Sequence, residues 1–204
     1  MTVKRLVGEL ALAAIGAAVL AGSVPAVAHE QNDHAHGAGP AAPATPEQKA
    51  RAAALIQAVR EATEQFQSSD FAESQGYSLQ FGCVSGSDFG AMGLHFVKFS
   101  LVDDVLDVTQ PEIILYEPLP NGKLRITGAD YLIPAAAWDA KHPHDPPQLM
   151  GQLFHLFDSP NRFGLDPFYT LHVWAWKDNP NGTFVNWNPD VSCDAFNQPE
   201  TPAP

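Results

Sequence analysis

Two histidines and two carboxylates stand where the alternation of the chain predicts β-strands. His95 lies in Gly93-Leu94-His95-Phe96-Val97, and His172 in Tyr169-Thr170-Leu171-His172-Val173-Trp174-Ala175-Trp176. The second run is rich in β-branched and aromatic residues and is the strongest strand signal in the chain. Asp130 falls in register with Leu124, Ile126, Gly128 and Leu132 along Lys123–Pro134. A carboxylate on an apolar face is costly unless it is paired or binds a metal. Glu117 ends the preceding strand, Glu112–Glu117, and the Asn121-Gly122 turn signal predicts a hairpin that brings it back towards Asp130. Two neutral imidazoles with one or two carboxylates form a donor set for Zn, Fe or Mn, and Cu also fits. The predicted metal ligands are therefore His95, His172, Glu117 and Asp130.

The same groups admit other chemistry. A carboxylate and an imidazole in an aromatic pocket can do general acid–base work, with or without an ion. Tyr131, Trp174 and Trp176 are the predicted walls of such a pocket. A third reading makes the histidines structural and the protein an apolar-ligand carrier or interaction domain. Imidazole nitrogens within ~4–5 Å of each other, with a carboxylate beside them, favour the ion. Ser85-Gly86-Ser87 lacks the strand-to-helix elbow of a hydrolase, so no nucleophile motif supports turnover.

Other titratable clusters are weaker. His29, His34 and His36, with Glu30 and Asp33 between them, form a tract able to hold Zn, Cu or Ni weakly. Asp103, Asp104 and Asp107 are spaced acids without the order or the glycine of an EF-hand. His142 and His144 point to opposite sides of an extended backbone, and His155 is flanked by aromatics. Cys83 and Cys193 are the only cysteines, and neither belongs to a Cys-x-x-Cys pair. A structural disulfide is the favoured reading, with free thiols or half a metal site as alternatives.

The elements that must position these groups occupy only part of the chain. Met1–Ala28 reads as a secretory signal peptide: Lys4 and Arg5, then an apolar run at Leu10–Gly22, then Ala26-Val27-Ala28. The run is too short for a bilayer span, and Ser23 stands where a lipoprotein would carry its cysteine. Residues 29–44 are a tail of His, Ala and Pro with too few apolar residues to fold. A single domain is expected over 45–196, followed by a frayed end at 197–204. Thr45 caps a helix with Pro46 in its first turn and Gln48 completing a capping box. Ala53, Ile56, Val59, Ala62 and Phe66 make its apolar stripe. A short helix is expected over Ser69–Gln75, a loop over Phe81–Gly93, and a last strand at Thr183–Trp187. Ala135–Phe168 is a long proline-rich insert of the kind that often forms lids. The net charge of −12 disfavours nucleic acid and anionic lipid as partners.

The motifs Met92-Gly93-Leu94-His95-Phe96, Leu115-Tyr116-Glu117-Pro118, Leu171-His172-Val173-Trp174 and Asn188-Pro189-Asp190-Val191-Ser192-Cys193 are similar to a group of exported bacterial proteins of uncharacterised activity. That resemblance spans about Thr63 to Cys193 and implies one exported domain. The strand-borne His, Glu and His loosely resemble cupins, though the His-x-His of the cupin motif is missing. A His29 exposed by signal cleavage resembles the terminus of histidine-brace copper proteins, which hold it in a folded sheet rather than in a tail. Together these readings describe an α+β protein, secreted or periplasmic, with N-terminal helices packed on a curled antiparallel sheet, a half or closed barrel. An NTF2-like cone, its helices over the concave side, is one form of it. The expected function is binding of a metal ion or small molecule at a His/carboxylate site in the sheet concavity, with an enzyme on the same site as the alternative.

Overall fold

The computed structural model describes residues 43–86 and 88–196. The predicted signal peptide, the histidines of the tail and the frayed end lie outside them. Helix α1 spans Pro46–Thr63, a 3-10 turn follows at Glu64–Gln67, and α2 spans Ser69–Ser74. The strands are β1 Ser78–Gly86, β2 Gly90–Val97, β3 Ile113–Pro118, β4 Leu124–Pro134, β5 Gln148–Leu149, β6 Gln152–Leu153, β7 His155–Phe157 and β8 Phe168–Val173, with a short helix α3 at Ala135–Asp139. Six of them form one antiparallel sheet in the order β1-β2-β3-β4-β8-β7, strongly curled into a half-barrel.

The capping box forms as the sequence predicts. The Thr45 hydroxyl accepts the Gln48 N–H, and the Gln48 side chain accepts the Thr45 N–H. Val59 and Phe66 are buried as expected, but the buried stripe of α1 itself runs along Leu55, Val59 and Thr63, while Ala53 is exposed and Ile56 and Ala62 are half-buried. The buried row follows i, i+4 spacing. It packs on Ala129, Tyr131, Ile133, Leu171 and Val173. Strand alternation puts Asp130, Thr170 and His172 on the opposite face. An NTF2-like cone would lay its helices over the histidines. Here α1 and the histidines take opposite faces of the sheet.

Two irregularities set the register. Between Leu115↔Gly128 and Tyr116↔Ile126 one residue of β4, Thr127, has no partner on β3. This bulge reverses the facing of the strand. Ile126 therefore joins Tyr116 and Leu94 in the core under α2, and the expected shared face of Ile126 and Asp130 is broken. Gly128 beside it allows a close approach, since a Cβ there would lie 1.9 Å from the Val173 carbonyl oxygen. In β1, Gln80 pairs with His95 and Cys83 with Leu94, leaving Phe81 and Gly82 extruded. Phe81 holds a left-handed φ of 61°, which a bulky residue rarely adopts. The segment read as a loop is thus mostly strand, interrupted where its side chain is turned.

Among the described residues no further strand follows β8. Thr183–Trp187, expected to pair as one, instead offers isolated carbonyls: the Trp174 N–H donates to Thr183 and the Trp174 indole to Val185. Asn188 makes a two-bond bridge with Ala91 of β2. The Cys83–Cys193 disulfide then fastens this segment to β1. Closing a loop of 110 residues stabilises the fold by about 4–5 kcal/mol in the chain-entropy model. A formed disulfide suits an oxidising compartment. Among the described residues no helix is long and apolar enough to cross a membrane.

Candidate metal centre

The register of three strands brings the site together. Asp130 of β4 lies directly between Ile113 of β3 and His172 of β8. His95 of β2 pairs with Leu115, two residues along β3 from Ile113. Side chains at these positions project from one face in the concavity of the sheet. One ligand atom from each of His95, Asp130 and His172 lies within 4.8 Å of the other two, and all three residues are buried. The imidazole rings meet edge-on with centroids 6.2 Å apart. An ion with bonds of about 2.0–2.1 Å needs its donors somewhat closer than this, a contraction within reach of side-chain rotation.

The surroundings keep the rings neutral. Burial pushes the His95 imidazole down to about 4; a hydrogen bond with the Gly93 carbonyl opposes the shift and the Arg162 charge adds to it. Burial also holds His172 well below the ordinary histidine value, with His95 and His155 contributing. A neutral imidazole is the form that binds metals. Burial pushes the Asp130 carboxyl up to about 7, against the Thr170 hydroxyl and the Tyr131 and Leu171 N–H groups, which favour the anion. Thr170 donates to Asp130 Oδ1 in a short hydrogen bond. The other oxygen stands 3.9 Å from His172 Nδ1, too far for a hydrogen bond. His95 Nδ1 and His172 Nε2 are buried with no partner. Leaving such a group unsatisfied costs about 1–3 kcal/mol, and both rings belong to the cluster that includes the Asp130 carboxylate.

The space between them is small. A cavity of about 20 Å³ is lined by His95, Asp130, Thr170, His172 and Asn186 and by an apolar wall. It has room for one water or ion. Phe81, extruded from β1, and Phe157, Phe163 and Phe168, from the long insert and the start of β8, form much of that wall. Phe157 and Phe168 stack at 5.1 Å, and Phe163 meets Phe81, Phe157 and Phe168 edge-on at 5.2–6.1 Å. The insert thus contributes the cover of the site.

Glu117, the fourth predicted ligand, is elsewhere. It pairs across the hairpin with Arg125 and accepts from the Arg125 guanidinium and from Lys177 Nζ at 3.0 Å. The Thr127 bulge separates that pair from the Asp130 register. The predicted pocket aromatics are engaged apart from one another. The Tyr131 hydroxyl donates to the Val108 carbonyl on the α1 side. The Trp176 indole donates to the Thr63 hydroxyl. Trp174 alone backs the site, its ring centroid 4.6 Å from that of His172. Two polar neighbours escaped the sequence reading. Thr170 carried a signal, since it shares alternation with His172. Glu112 carried none: it ends up buried, accepts the Leu132 N–H at 3.1 Å, and is pushed up to about 8, chiefly by burial.

No family model, no curated protein and no solved structure matches this chain. The functional reading accordingly rests on the chemistry of the cavity.

Proposed function

We propose that this protein binds a single divalent transition ion through His95, Asp130 and His172, in an exported, oxidising setting. The observation that carries the reading is the convergence of three buried donors within 4.8 Å, two of them on imidazoles with an unpartnered nitrogen. Two neutral nitrogens and one carboxylate oxygen suit Zn, Fe(II) or Mn(II), and Cu(II) competes where it is available. An ion would also set a positive charge beside Asp130, a carboxyl that burial pushes up to about 7. The cavity of about 20 Å³ favours an ion over an organic ligand. The test is elemental analysis of the full chain with His29, His34 and His36 replaced by Ala, which removes the competing tract. We expect about one ion per chain, lost in His95→Ala and His172→Ala. A chain that retains no metal after dialysis against each of the four ions contradicts the reading.

A further inference from the structure

We propose that the side-chain carbonyl of Asn186 is the fourth donor of this centre. The inference deepens the metal-binding reading and rests on it. Asn186 is 3% exposed, lines the same small cavity as His95, Asp130 and His172, and its Oδ1 has no hydrogen-bond partner. Three residues that line one space the size of a water therefore each carry a buried polar atom without a partner. An amide oxygen only accepts, and a cation held there would take its lone pair together with one from each imidazole and one from the Asp130 carboxylate.

The backbone holds Asn186 in place from both sides. The Val185 carbonyl accepts the Trp174 indole N–H at 2.7 Å, and the Trp187 carbonyl accepts the Asn179 side-chain amide at 2.9 Å. Trp174 in turn packs on the His172 ring, so one side chain supports two members of the set. The asparagine interrupts the apolar run Phe184-Val185-Asn186-Trp187, as Asp130 interrupts its own strand. Two imidazole nitrogens and two oxygens, one of them uncharged, form a neutral-to-cationic centre. Replacing the carbonyl by a carboxylate would strengthen it, and replacing it by an alkyl group would leave an open coordination position.

The test is titration of the full chain, its three tail histidines replaced by Ala, with Co(II) and Zn(II), following the Co(II) d–d bands and the affinity. Asn186→Leu is expected to weaken binding about 10–100-fold and to shift the d–d bands, because the donor set changes. Asn186→Asp is expected to bind about tenfold more tightly. Asn186→Asp keeps the shape of the residue, so it decides the matter if Asn186→Leu does not fold. Equal affinity and an unchanged spectrum in either folded variant, while the parent binds and His95→Ala does not, overturn the role of Asn186 and leave the metal site standing. A parent chain that takes up neither ion overturns both.

Discussion

The two faces of the central sheet treat buried polar groups in opposite ways. Towards the helices, each buried tyrosine hydroxyl has a carbonyl to donate to: Tyr116 to Phe66, Tyr77 to Pro111 and Tyr131 to Val108. Thr127, the bulge residue, is the exception, with its hydroxyl unpartnered. Across the sheet, His95, His172 and Asn186 line one cavity, and each has a buried side-chain atom without a partner. The carboxylates repeat the contrast. Glu117 and Asp130 are about equally buried, but Glu117 faces Arg125 and Lys177, while burial pushes Asp130 up to about 7. Burial alone therefore does not mark a site. The marks are unsatisfied donors and acceptors that share one space, which a folded chain tolerates only if something else satisfies them.

Perturbing each region should separate packing from binding. Leu55, fully buried on the inner face of α1, belongs to packing alone. Leu55→Ala should cost about 3–4 kcal/mol in denaturant melts and leave metal stoichiometry unchanged. A loss of metal in the folded variant would break the separation of the two faces.

Asp130→Asn should do the reverse. It should abolish tight metal binding yet stabilise the metal-free protein at pH 8 by about 2 kcal/mol. The sign follows from the raised pKa. Between the unfolded value near 3.8 and the folded value of about 7, the native state holds a proton that the unfolded chain has released. Its contribution is complete below pH ~4 and is lost as pH rises towards 7 and above. Asparagine does not titrate, so the gap between the urea midpoints of variant and parent should widen in favour of the variant from pH 4 to pH 8. The slope common to both comes from Glu112, pushed up to about 8, which lowers stability as pH rises, and from the depressed His95 and His172, which raise it. A variant less stable than the metal-free parent at pH 8 would show that the ionised carboxylate already has a partner.

The smallest effect is expected at Glu117. Glu117→Gln leaves Lys177 and Arg125 without their anion, and should cost about 1–2 kcal/mol, because both cations keep some contact with water. Metal content should not change. A lowered stoichiometry in this variant would return Glu117 to the site from which its ion pairs remove it.

Much of the site was legible because alternation is a local property. His95, Asp130 and His172 each occupy the middle of a strand whose facing can be read from neighbours two residues away. The cross-strand register was not legible, because it depends on bulges that no local pattern announces. The single extra residue at Thr127 turned Ile126 to the other face and left Glu117 to Arg125. The two extruded residues of β1 turned Phe81 over the cavity from a stretch whose glycines and serines suggested a loop. Asn186 was missed for a related reason. Its segment has strand composition but pairs through isolated carbonyls, so the alternation expected there did not apply. The disulfide was the favoured reading of the sequence because a chain with two cysteines has one intramolecular pairing available, and the structure forms it in place of the free thiols or half metal site.

The most direct test is a crystal of the full chain, its tail histidines replaced by Ala, soaked in Zn(II) and measured on both sides of the zinc absorption edge. The account predicts an anomalous peak in the cavity, about 2.0–2.2 Å from one ring nitrogen each of His95 and His172 and from an Asp130 oxygen. An ordered water in that position with no anomalous signal, or an imidazole turned away to a protein partner, would contradict it.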